Sequence, residues 1–310
     1  MKKKRKILIV YHRVDFDGVF SALITKKFYE SNPNYIVELY GYTYNDDLPN
    51  FKSQKFKVNE LVIVDISFHS DIMLDFIKRY GVDNITWIDH HITAIRESED
   101  QGFNILKGIR RVGRGACELC WEYFFDETLT TLPQLIRDLS DYDVWYKRSD
   151  DYWNNVIMPI QFGIRALYGV SVSKLNADLI SDTEFREHVI NVGKPIHNYL
   201  IGKWNSYVKN SSFDITVGGQ LNGIALITPE ICSSVFDSVR DRYQVFCIVS
   251  PRRDNDTFSC SLYSEPDGRL GDFELGEYMK KNYGGGGHPT AAGGILTIDQ
   301  FINLITNKEL

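Results

Sequence analysis

Apolar residues recur along this chain with two different periods. Lys6–Tyr11, Tyr35–Tyr40, Glu60–Val64 and Ile85–Ile88 are short, nearly unbroken apolar runs, the pattern of strands buried on both faces. Between the first two, Gly18–Tyr29 places Val19, Phe20, Leu23, Ile24 and Phe28 at helical spacing, and Asn32-Pro33-Asn34 ends that helix. Ser70–Arg79 predicts a second helix. Strand alternating with helix predicts an α/β domain: a parallel sheet with helices on both faces, and ligands outside the carboxyl ends of its strands. Ala116–Phe125 and Leu132–Leu139 continue with helical spacing, and the aromatic-rich stretch from Asp150 to about Leu200 reads as further helices closing that domain.

Beyond the polar stretch Lys203–Ser212, a linker by composition, the pattern changes. Phe213–Val217, Gly223–Thr228, Tyr243–Ser250 and Phe258–Tyr263 read as strands, with Ser233–Arg242 helical among them. A helix at Leu275–Asn282, a glycine run and a closing helix at Asp299–Thr306 follow. The expected division is a first domain over 1–200, a linker over 201–212 and a smaller α/β domain with a mixed sheet over 213–310.

The ends of the apolar segments carry the chemistry. Ile85–Ile88 runs into Asp89-His90-His91, the first strand into His12, Asp15 and Asp17, the third into Asp65, and the Leu132–Leu139 helix into Asp141 and Asp143. One Asp after a strand is commonly a cap for the next helix, and one His is commonly a packed or surface residue. Four such ends in one domain favour a metal site instead. Carboxylates with neutral imidazoles suit Mn²⁺, Mg²⁺ or Zn²⁺.

These residues resemble the four motifs of the DHH phosphoesterases, in order: His12-x-x-Asp15-x-Asp17-Gly18, Asp65, Asp89-His90-His91 and Ser140-Asp141-Tyr142-Asp143. Gly284-Gly285-Gly286-Gly287-His288-Pro289-Thr290-Ala291-Ala292-Gly293-Gly294 is similar to the signature of the DHH-associated domain, so the resemblance runs from about Ile7 to about Ile305. It implies a phosphoesterase with two divalent ions, Mn²⁺ in preference to Mg²⁺. His12 and Asp15 would hold one ion and Asp17, His90 and Asp141 the other, with Asp65 bridging. Asp89 would orient or ligate, and His91 would sit against the scissile phosphate. Two departures stand out. The first His precedes the first Asp by three residues where many members have four, and the Arg of the family's Ser-x-Arg-Ser strand is missing from Ser261-Leu262-Tyr263-Ser264. Arg252, Arg253 or Arg269 are the candidates to replace it.

Substrate contacts are expected from Arg114, in Gly113-Arg114-Gly115 at a helix N-terminus, and from Gly285, Gly286, Gly287 and His288, where backbone N–H groups can approach an anion closely. The chain resembles the nanoRNase branch of the family. It implies hydrolysis of short oligonucleotides or linear dinucleotides to mononucleotides. A phosphatase of small phosphoanhydrides or monoesters is the alternative, ahead of a RecJ-type single-strand exonuclease and a catalytically silent nucleotide sensor.

Composition narrows the partners. A net charge of −6 argues against a long nucleic-acid tract, while a small anion held by metal ions remains compatible. No run of about eighteen apolar residues predicts a membrane span. Five scattered cysteines do not make a disulfide framework, and Cys117-x-x-Cys120 lies in a helical pattern with no second pair, so buried thiols and a cytoplasmic setting are expected. Whether the chain forms a homodimer is left open.

Overall fold

The computed structural model describes residues 4–44, 46–125, 130–229, 232–253 and 256–310. The chain divides into two compact units, Met1–His197 and Asn198–Leu310.

In the first unit, β1 (Arg5–His12), β2 (Tyr35–Tyr42), β3 (Glu60–Val64) and β4 (Ile85–Ile88) form an all-parallel sheet of order β2-β1-β3-β4. Alternation along β1 explains its two covered faces. Ile7 and Ile9 pack among residues of α1 (Phe16–Glu30), α4 (Ala116–Phe124) and α5 (Gln134–Asp143). Leu8 and Val10 pack on the other side, with Met73 and Phe76 of α2 (Ser70–Tyr80) and Ala94 of α3 (Ile92–Gln101). These side chains are almost wholly buried. The α/β class, with helices on both faces, is borne out.

After α5, the short α6 (Asp150–Tyr152) passes through a wide helical turn, Trp153–Ile157, into α7 (Met158–Tyr168). The long α8 (Thr183–Ser211) crosses α7 where both carry glycine: a Cβ on Gly163 would lie 1.9 Å from the Val189 carbonyl oxygen, and one on Gly193 would lie 1.8 Å from that of Pro159. Only residues without a Cβ allow that approach. The polar stretch read as a linker is largely the last turns of α8.

The second unit holds a six-stranded sheet of order β5-β6-β7-β8-β10-β9, formed by β5 (Phe213–Val217), β6 (Leu221–Ile227), β7 (Val245–Pro251), β8 (Thr257–Tyr263), β9 (Gly286–His288) and β10 (Ala291–Thr297). Only β6 and β7 pair in parallel, so the sheet is mixed, as expected. Helices α9 (Leu275–Tyr283) and α10 (Ile298–Asn307) contribute Met279 and Leu304 to its core. The last two strands went unread in the sequence. Gly286–His288 form a strand, paired Gly286 to Gly293 and His288 to Ala291, and Gly284 caps α9 before it.

Candidate metal centre

The first unit gathers its acidic residues and histidines at the carboxyl ends of β1, β3 and β4. β1 ends at His12, and three residues on, Asp15 caps α1 by accepting from the Gly18 amide at 3.0 Å. Gly18 is required there, since a Cβ would fall 2.0 Å from the His12 carbonyl oxygen. His12 Nδ1 lies 2.9 Å from Asp15 Oδ2 and 3.7 Å from Asp65 Oδ2. Burial opposes protonation of His12, but its hydrogen bonds with both carboxylates outweigh that and push its pKa up to about 10.

Asp17 is held from another side. Its two carboxylate oxygens accept the amides of Ala116 and Cys117 at 2.6 and 2.8 Å, the first turn of α4. An anion at a helix N-terminus is favourably placed. Gly115 packs so tightly there that a Cβ would sit 2.8 Å from Asp17 Oδ1.

Asp65, one residue past β3, takes a left-handed backbone with φ of 58°. Its side chain is buried, and Oδ1 accepts no hydrogen bond although His90 Nε2 stands 3.3 Å away. Burial, then the charges of Asp17 and Asp15, raise its pKa well above the ordinary Asp range. A buried oxygen without a hydrogen bond is costly. A cation supplies the partner that fits it.

Beyond β4, Asp89 is fully buried and acts as a bracket. Its Oδ1 accepts the His90 amide at 2.7 Å and lies 2.7 Å from His91 Nδ1, while Oδ2 accepts from Trp87 Nε1 at 3.2 Å. Burial would raise the Asp89 pKa, but the His91 hydrogen bond overrides it and the carboxyl is held below its ordinary value. His90 Nε2 faces Asp143 Oδ2 at 3.1 Å and Asp17 Oδ2 at 3.7 Å. Burial would lower its pKa, and the carboxylates, led by Asp143, raise it instead.

Three sets of potential ligands result, each with its atoms within 4.8 Å of one another: His12, Asp15 and Asp65; Asp65, His90 and His91; Asp17, His90 and Asp143. Asp65 belongs to two of them, and so does His90. Hard oxygen donors mixed with imidazole fit Mn²⁺ or Mg²⁺.

One expectation needs correction. Asp141 is not in these sets; its Oδ2 pairs with Arg148 Nη2 at 2.5 Å, and Asp143 stands in the place expected for it. A signal for Asp143 existed. It lies four residues beyond Leu139, on the line of that apolar residue, while Asp141 lies four beyond Arg137.

The expected substrate contacts fall in both units. Arg114 precedes the first turn of α4 and pairs with Glu118 Oε1 at 2.5 Å. Gly285, Gly286, Gly287 and His288 lie in the second unit, where a Cβ on Gly285 would meet the Gly293 carbonyl oxygen at 1.8 Å and one on Gly287 that of Ala291 at 2.4 Å. Close strand pairing therefore accounts for two of these glycines; nothing lies within 4 Å of a Cβ placed on Gly286. Of the candidate replacements for the missing strand arginine, Arg269 is tied to Asp267 and to the carbonyls of Arg240 and Tyr243. The five cysteines are free, with Cys117 and Cys120 buried in α4.

No protein-family model and no curated protein sequence matches the chain. Solved structures do. A DHH domain from a protein described as a member of a family of ribosomal proteins superposes with a TM-score of 0.59 at 13% identity, over 99% of this chain and 88% of that one. The chain has the fold of DHH-domain proteins. A pGpG-specific phosphodiesterase, PggH from Vibrio cholerae, is similar over 98% of this chain and 97% of its own, with a TM-score of 0.52 at 14% identity. RecJ from Thermus thermophilus, in complex with Mn²⁺, gives a TM-score of 0.52 at 12% identity; this chain spans about half of it, 51%. The DHH likeness thus rests on shape; in this chain the Asp89-His90-His91 tripeptide follows directly on β4. Among the described residues, no helix is long and apolar enough to cross a membrane.

Proposed function

We propose that the chain is a metal-dependent phosphodiesterase that hydrolyses short oligonucleotides or linear dinucleotides to mononucleotides. The observation that carries this reading is the buried Asp65 carboxylate, shared between two ligand sets and lacking a hydrogen bond on Oδ1. A carboxylate so placed suits a pair of divalent ions better than it suits a purely structural role. His12, Asp15, Asp17, Asp65, His90 and Asp143 would hold the ions. Once bound, such ions lower the pKa of a water and neutralise charge on the phosphoryl oxygens.

The chain's own groups supply the rest. Asp89 orients the His91 ring through Nδ1, and His91 would sit against the scissile phosphate. The α4 amides hold Asp17 by both carboxylate oxygens. The net charge of −6 disfavours long polyanions and suits a short substrate. The likeness in fold to a pGpG-specific phosphodiesterase supports the same substrate class.

Mononucleotide release from a labelled dinucleotide with Mn²⁺ tests the reading, with Asp89→Ala and His90→Ala combined as the control. Turnover in the wild type that vanishes in the double variant is expected, and faster release from a five-nucleotide RNA than from a thirty-nucleotide one. Phosphate release from pyrophosphate or polyphosphate, with dinucleotides untouched, would replace this proposal with the phosphatase.

A further inference from the structure

The first unit holds a cavity of about 890 Å³ walled in part by Arg114, Arg137, Arg148, Asp141 and Tyr146. We propose that this cavity, with its three guanidinium groups and one exposed aromatic ring, is a subsite for a terminal phosphate of the substrate. The inference rests on the phosphodiesterase reading and names the substrate more closely.

The charges are arranged for an anion. Glu118, 5% exposed, braces two arginines at once: its Oε1 lies 2.5 Å from Arg114 and 3.3 Å from Arg137. Asp141, also 5% exposed, braces Arg148 at 2.5 Å. Three guanidiniums thus share two carboxylates, an excess of one positive charge. The carboxylates are buried, whereas the arginine side chains remain 43, 34 and 34% exposed. Each guanidinium carries five N–H donors in a fixed fork that matches phosphate, and a single carboxylate contact leaves most of them for a ligand. Two arginines on one carboxylate repel each other. That repulsion is relieved when a dianionic phosphate monoester joins them.

Position and shape agree with this assignment. Gly113 and Arg114 line the cavity, and the chain passes directly from them to the Ala116 and Cys117 amides that hold Asp17. Tyr146 is 60% exposed, and its amide is anchored to the Asp141 carbonyl at 2.7 Å. An exposed ring beside arginines offers a face on which a base can stack.

Binding without turnover tests the assignment. The full chain, held in chelator, is titrated with pApA, ApAp and ApA, and circular dichroism checks that each variant folds. One phosphorylated dinucleotide is expected to bind at least about tenfold tighter than ApA, an advantage that falls to within about threefold in Arg137→Gln and in Arg148→Gln. The winner identifies which end the cavity reads. Equal binding of all three overturns the subsite, as does an advantage that both substitutions leave intact; if Arg137→Gln fails to fold, Arg148→Gln decides. Mn²⁺-dependent cleavage by the wild type is measured alongside. Cleavage without preference for a terminal phosphate sinks the subsite alone, while preferential binding without cleavage of any of the three sinks the hydrolytic reading alone.

Discussion

Asp65 combines a left-handed backbone with a buried oxygen that accepts no hydrogen bond. Both features carry a cost in free energy, and both are compatible with Asn, which tolerates the same backbone. Its raised pKa gives the cost a direction. Where the folded pKa exceeds the unfolded one, the folded state binds more protons, so stability is lost as pH rises above the ordinary Asp range. His12 acts in the same sense: its contribution is fully present below about 6.5, the unfolded value, and is lost as pH passes its folded value of about 10. In chelator, the protein is therefore expected to lose thermal stability from pH 7 towards pH 10, and Asp65→Asn to melt about 2–4 °C above the wild type at neutral pH. With Mn²⁺ at one hundred times its Kd the order reverses, because the wild type gains about 2.7 kcal/mol and the variant much less. Thermal melts over pH, with and without Mn²⁺, check both statements; a variant stabilised by Mn²⁺ as strongly as the wild type would remove Asp65 from the metal centre.

Elements rather than single residues decide whether Asp143 arrives in place. It sits at the end of α5, and α5 is clamped from α8. Arg186 donates from Nε to Asp138 Oδ2 at 2.8 Å, Tyr152 donates to Oδ1 at 2.8 Å, and Gln134 donates to the same Oδ1 at 2.8 Å. Asp138 is almost completely buried. Arg186→Met leaves that carboxylate without its cation, which is expected to cost about 3–5 kcal/mol, read as a lower denaturant midpoint. Loosening α5 should also weaken Mn²⁺ binding, while Arg5→Met, which breaks only an exposed hydrogen bond to Asn84, should leave both measurements alone. The same helix shows why the sequence was only partly readable. β1, β3 and β4 declare themselves because burial on both faces leaves an unbroken apolar run. The end of α5 offers two aspartates roughly 200° apart around the helix axis, and choosing between them required following the stripe of Leu135, Ile136 and Leu139. β9 is Gly286-Gly287-His288 and β10 opens on Ala291-Ala292-Gly293-Gly294, so few large side chains mark a period there.

At the scale of the molecule, the parallel sheet and the mixed sheet were each foreseen from a change of pattern near Phe213, and the unit boundary falls within α8 between His197 and Asn198. That boundary is invisible to hydrophobic spacing, because a helix continues smoothly across it. It has an optical consequence. Of the five tryptophans, Trp87, Trp121, Trp145 and Trp153 belong to the first unit, and Trp204 alone to the second. Trp87, Trp153 and Trp204 are almost wholly buried, so intrinsic emission during denaturation should follow mainly the first unit, which holds four of the five, while far-ultraviolet dichroism follows both. If the units lose structure separately, the two signals will give different urea midpoints; coincident curves would mean that they unfold as one. With different midpoints, a stability quoted from tryptophan emission would describe mainly the unit that carries the acidic cluster and under-report the glycine-rich sheet.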